Sequence, residues 1–202
     1  MLRIYGYPAS INVRKVLWAC AELELDYEIE DRPTADPDFL KLNPFGMVPV
    51  LDDDGAIIRE SNTIARYLAA SRGRPDLLPL EPKRRAAVEM WMDWQASDFN
   101  NSWRVAFQGL VRKNPDHQDA AAIERSMASF NRMVAIVDAQ LAESGGFICG
   151  MQFSLADIPI GLSIHRWRSV PASKPRLVNI DRYYDRLCER EGFRRYGRDG
   201  GP

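Results

Sequence analysis

Residues 43–68 read NPFGMVPVLDDDGAIIRESNTIARYL. Within them Pro49 stands between Val48 and Val50, two β-branched residues that favour a strand, and the pair Glu60-Ser61 precedes a helical pattern. Proline has no N–H to give to a sheet ladder, so in such a run it marks an edge, a bulge or a cis bond. A cis Val48–Pro49 bond would leave the N–H and C=O of Val48 facing outward, where an extended peptide could pair with them as another strand does. A helix opening near Ser61 would present free N–H groups and partial positive charge, which suits a carboxylate. Together these features predict a site for a small peptide, with backbone pairing at Val48 and carboxylate capture at Ser61.

Working outward, 2–5 and 27–30 read as strands, separated by a helical pattern over 12–23 with Val13, Val16, Leu17 and Cys20 on one face. Phe39, Leu40 and Leu42 suggest a short helix that Asn43-Pro44 and Gly46 end. Runs at 48–51 and 56–58 flank an Asp54-Gly55 turn, a hairpin signal, and 61–71 is helical. The order βαβα followed by ββα fits a thioredoxin-like α/β domain, with its first two strands parallel through a right-handed crossover. Residues 72–82 lack a period and are punctuated by Arg74-Pro75-Asp76 and Leu80-Glu81-Pro82. Long helical patterns follow over 83–111, 119–142, 154–167 and 177–190. The expected organisation is a thioredoxin-like α/β N-terminal domain (1–74), a linker (75–82) and an all-α helical-bundle C-terminal domain (83–202).

Composition narrows the function classes. A hydrophobic content of 46% over 202 residues supports a substantial core. A net charge of −1 gives no electrostatic case for nucleic acid or an anionic membrane surface. No apolar run approaches the roughly 18–20 residues that span a bilayer. Met1 leads straight into LRIYGY without the pattern of a signal peptide, so a cytoplasmic location is expected. Cys20, Cys149 and Cys188 are scattered, and His117 and His165 stand alone; the expectation is buried or half-buried thiols and no metal.

Four fragments carry a family resemblance: SINVRKVL at 10–17, FLKLNPFGMVPVL at 39–51, ESNTIARYLA at 60–69 and FSLADI at 153–158. In this order and at these spacings the chain resembles the glutathione S-transferases over nearly its whole length. The first fragment is most similar to the bacterial and phi- or theta-like branches, which use a Ser near the start of the first helix rather than a Tyr or Cys. The resemblance implies a homodimer that takes glutathione as cosubstrate on the first domain and a small apolar electrophile between the two.

Each residue so marked also has a plain structural reading. Ser10 precedes the first helix, where a hydroxyl and the helix dipole can stabilise a thiolate, or where Ser simply caps. Asn12 is the second candidate activator, and it too makes a good cap. Arg14 adds positive field or, as preferred here, forms a surface ion pair. The resemblance assigns Met47, Val48 and Pro49 to the cysteinyl part of glutathione. It assigns Glu60 to the ammonium and Ser61 to the carboxylate of the γ-glutamyl end. Many relatives carry Gln or Lys where Met47 stands; Met cannot donate, so weaker glutathione binding is expected. Trp103, Arg104 and Phe107 are expected on one helix face bordering the cosubstrate pocket, an aromatic floor with one Arg. Trp91 and Trp94 are assigned to the core or a dimer contact. Ser154 and Asp157 read as a capping box that serves folding.

The activity expected is activation of the glutathione thiolate for conjugation, halide displacement or peroxide reduction. The alternative is a non-catalytic binding or interaction module of the same fold. Thiol–disulfide exchange through the protein is disfavoured, because the loop PASIN at 8–12 has no Cys.

Overall fold

The computed structural model describes Met1–Pro202. The chain begins β1 (Leu2–Tyr5), α1 (Ile11–Glu22), β2 (Tyr27–Glu30), α2 (Pro37–Leu42), β3 (Val50–Asp53), β4 (Ala56–Arg59) and α3 (Ser61–Ser71). These strands form one mixed sheet in the order β2-β1-β3-β4, with β1 and β2 parallel and the remaining neighbours antiparallel. Ile4 pairs with Leu51 of β3, both fully buried at the sheet centre, and with Ile29 of the edge strand β2, which is exposed. This is the thioredoxin-like domain. The third strand starts at Val50 rather than Val48, because Pro49 cannot donate to the ladder and the Val48–Pro49 bond is cis.

A helical domain follows, opening with α4 (Pro82–Trp94), whose first N–H groups are capped by Glu81. The expected uninterrupted helix over 83–111 is broken. After α4 come a π-helical turn (Gln95–Phe99), α5 (Asn100–Ser102), α6 (Arg104–Ala106) and a second π-helical turn (Phe107–Val111). The widened turns have a packing reason. Trp94 and Phe99 stand five positions apart, off the usual helical spacing, yet their rings meet at 5.0 Å. Beyond lie α7 (Ala120–Ser144), α8 (Asp157–Ser169), α9 (Val178–Cys188) and a short closing α10 (Glu191–Phe193) with a π turn (Arg194–Arg198). The sequence reading missed these last two turns.

Both halves share one core. Helix α1 packs on α3 within the first domain and on α8 and α10 of the second. This double burial explains why Arg14 and Lys15 are as buried as Val13 and Val16. Arg14 is therefore not a surface ion pair: its guanidinium donates to the carbonyls of Tyr196 and Gly201. Nor are all three thiols buried, since Cys149 is exposed. Trp91 and Trp94 are half-buried and meet edge to face at 5.2 Å. No helix is long and apolar enough to cross a membrane.

Candidate functional site

Helix N-termini carry unsatisfied N–H groups, which a capping side chain or an acidic first turn can answer. Asp36 accepts from the first turn of α2, Glu81 from α4 and Asp119 from α7. Of the helices of eleven residues or more, α1 and α3 alone have neither a capping side chain nor an acidic residue in the first turn. Ser10 occupies the N-cap of α1 with extended backbone (φ −78°, ψ 125°) yet makes no capping bond, and the first turn holds no acidic residue. Glu60 occupies the N-cap of α3, again without a capping bond or a first-turn acid. Ser61 Oγ reaches Asn12 Oδ1 at 3.5 Å, the limit of a hydrogen bond, so the two open N-termini lie side by side. Free N–H groups and partial positive charge at two adjacent helix ends suit an anion.

The segment facing them is held by local bonds. Asn43, buried at the end of α2, donates from Nδ2 to the Met47 carbonyl at 2.7 Å, and its Oδ1 accepts from Phe45 N at 3.2 Å. The loop over 43–47 is thereby fixed just before the Val48–Pro49 bond. Gly6 lets the β1–α1 connection approach this segment: a Cβ there would fall 2.6 Å from Val13 Cγ2 and 3.3 Å from Val48 Cβ. Its φ of +152° also disfavours a side chain. Val48 is buried and Met47 is exposed. Ser61 is buried, whereas Glu60 is exposed and held at φ +65°, a conformation that costs a non-Gly residue about 1–3 kcal/mol.

A cleft of about 450 Å³ opens beside Ser10, lined by Tyr7, Met47, Trp103, Arg104, Phe107 and others. Trp103 and Phe107 meet edge to face at 5.6 Å, so these aromatics do share a face. The cation stacked on them is not Arg104, which is exposed at the rim. It is Arg166 of α8, centred 4.3 Å from the Trp103 ring and 4.0 Å from that of Phe107. Arg112 reaches the same wall through the second π turn, over Phe107 at 5.5 Å, and donates to the Ala9 carbonyl at 3.3 Å. Sequence reasoning missed Gly6, Asn43, Arg112 and Arg166. Asn43 was read only as a helix stop, and nothing local distinguishes Arg166 from an exposed helical Arg.

Thiols of the protein stand apart from this chemistry. Burial pushes the Cys20 thiol up to about 12, and Cys149, which is exposed, lies outside the residues that line the cleft. No cluster of His, Cys, Asp and Glu gathers with the geometry of a metal site.

A thioredoxin-like domain with two open helix N-termini beside a cis-proline loop, closed by a helical domain, has the chemistry to suit a small anionic peptide. The comparisons agree with that reading. The family described as "Glutathione S-transferase, N-terminal domain" matches residues 4–76. Glutathione S-transferase GstB of Escherichia coli is 40% identical over 96% of this chain and 97% of its own. Glutathione S-transferase 3 of Zea mays is 37% identical over 77% of this chain and 73% of its own. Among solved structures, the theta class glutathione S-transferase of Xanthomonas axonopodis pv. citri with glutathione bound superposes with a TM-score of 0.90. It is 35% identical and covers 96% of this chain and 95% of that one. The chain belongs to the glutathione S-transferase family of enzymes.

Proposed function

We propose that the chain is a serine-type, phi- or theta-like glutathione transferase that activates the glutathione thiolate against small electrophiles. The observation that carries this reading is the pair of uncapped helix N-termini at α1 and α3, one for the thiolate and one for the γ-glutamyl carboxylate. Because Ser10 Oγ is not spent on capping, it is free to donate to the thiolate while the α1 dipole favours the same charge. Lowering a thiol pKa by two units corresponds to about 2.7 kcal/mol, within reach of one charge-assisted hydrogen bond plus a dipole. The thiol proton passes to solvent. The sulfur then attacks the electrophile for conjugation, halide displacement or peroxide reduction.

In this reading Val48 pairs by its backbone with the cysteinyl part, Pro49 fixes that geometry, and Met47 leaves the site short of one donor. Glu60 receives the γ-glutamyl ammonium and Ser61 its carboxylate. Asn12, in contact with Ser61, supports that end, and it is the reserve activator. Trp103, Phe107 and Arg104 border the electrophile. The division at 1–74, 75–82 and 83–202, the homodimer and a cytoplasmic location complete the proposal; three free thiols fit a reducing compartment.

The test is calorimetric titration with glutathione of wild type and Ser10→Ala, with bound thiolate followed by ultraviolet absorbance across pH. The expected result is saturable binding to both and a lowered thiol pKa in wild type alone. An equally lowered pKa in Ser10→Ala would pass the role to Asn12 or the dipole. No binding to either would leave the non-catalytic module.

A further inference from the structure

We propose that the cleft beside Ser10 selects electrophiles carrying a carboxylate or similar anionic group, and that Arg166 receives that group. The inference deepens the proposed transferase function and rests on it for its catalytic part.

Arg166 is only 3% exposed, and its Nε is sealed without a hydrogen-bond partner. No carboxylate pairs with it; the charged neighbours that act on it are Arg14 and Arg112. Neither neighbour brings an acid, since Arg14 donates to the carbonyls of Tyr196 and Gly201, and Arg112 to that of Ala9. A buried cation without a counter-ion is costly, and attraction to the faces of Trp103 and Phe107 offsets only part of that cost. The cleft itself is lined by Arg104, Arg112 and Arg166 and by no Asp or Glu. Burial and the two neighbouring cations push the Arg166 guanidinium down to about 9, which still leaves it charged at neutral pH. An anion in the cleft would supply the missing partner, and the aromatic wall suits a flat one.

A probe pair isolates the charge. In 4-chloro-3-nitrobenzoate the glutathione thiolate forms a C–S bond as the C–Cl bond breaks, and chloride departs with the electron pair. In 4-chloro-3-nitrobenzamide the same displacement occurs on a neutral analogue. The measurement is kcat/KM for each probe, divided by its uncatalysed rate, in wild type, Arg166→Met and Arg112→Gln. Binding of 3-nitrobenzoate without glutathione is followed by calorimetry on the same proteins.

Wild type is expected to favour the benzoate, and Arg166→Met to lower the benzoate-to-benzamide ratio by about tenfold or more. The melting temperature of Arg166→Met should rise, because an uncompensated buried charge is removed. A merely structural arginine would not give that combination. Arg112→Gln, at an exposed position, is expected to lower the ratio by about threefold, and it keeps the test alive if Arg166→Met misfolds. Equal treatment of both probes by wild type overturns the inference. So does an Arg166→Met that raises the bound thiol pKa and slows both probes alike, since Arg166 would then serve the thiolate. If glutathione fails to bind at all, the transferase reading falls, and calorimetry alone decides the anion site: Arg166-dependent binding of 3-nitrobenzoate supports it, and no binding overturns it.

Discussion

Asn43 closes α2 and clamps the loop that leads to Val48 with both ends of one amide. Replacing it by Ala leaves a carbonyl and an N–H without their partners, a cost of about 1–3 kcal/mol. Chemical denaturation should show that loss, and calorimetry should show weaker glutathione binding, because Met47 and Val48 lose their fixed position. Unchanged affinity at reduced stability would confine Asn43 to folding. At this scale the sequence showed residues whose backbone chemistry is local, such as Pro49 and Ser61. It did not show Asn43 as a clamp, because a helix-stop Asn and a clamping Asn look alike until the loop has closed. Arg14 was misplaced for a related reason: its partners, Tyr196 and Gly201, stand at the far end of the chain.

Among the elements, the capping box expected before α8 forms only in half: the N-cap is Ala156, without a capping side chain, and the Ser154 hydroxyl donates to Asp157 instead of accepting from its N–H. Asp157 accepts from Ser154 N at 2.8 Å and Ser154 Oγ at 3.1 Å, and its other oxygen takes Ile148 N at 2.9 Å and Tyr183 OH at 3.0 Å. Asp157→Ala should therefore cost more than a simple cap, about 2 kcal/mol or more, with the glutathione site intact. Thermal unfolding beside a glutathione titration checks both halves of that statement. Helix α1 yields a pH prediction. Lys15 is fully enclosed, donates to Gln95 Oε1 at 2.7 Å, and is pushed down to about 7, chiefly by burial and then by Arg166. Its folded pKa lies below its unfolded one, so the unfolded chain binds more protons between the two, and stability gains as pH rises through that window. Relative to Lys15→Met, wild type should gain about 2 kcal/mol between pH 7 and 9 in chemical denaturation. A constant difference would show that Lys15 does not titrate there.

Across the whole molecule, Trp18 joins the two domains. It is completely buried, 5.7 Å from the Phe153 ring and 5.2 Å from that of Phe193, and its Nε1 donates to Glu22 at 2.7 Å. Gly192 exists to admit it, for a Cβ there would lie 2.3 Å from the indole. Arg190 pairs with the same Glu22 and lies over Phe153 at 3.9 Å. Trp18→Ala should cost about 3–5 kcal/mol and split one unfolding transition into two, read by calorimetric scanning. A single, merely shifted transition would mean that other contacts couple the domains. The sequence by itself determined the strands and most helices, the cis-proline loop, the Ser61 helix start and the Ser154–Asp157 contact, because periodicity, turn chemistry and capping act over a few residues. Tertiary structure alone decided that α1 would bury Arg14 and Lys15, that one π turn would seat Phe99 in the core against Trp94 and the other would leave Arg112 over Phe107 at the cleft, and that Arg166 would stack on aromatics far from it in the chain. Those outcomes depend on which faces meet, and a face acquires its partner only when the domains close on one another.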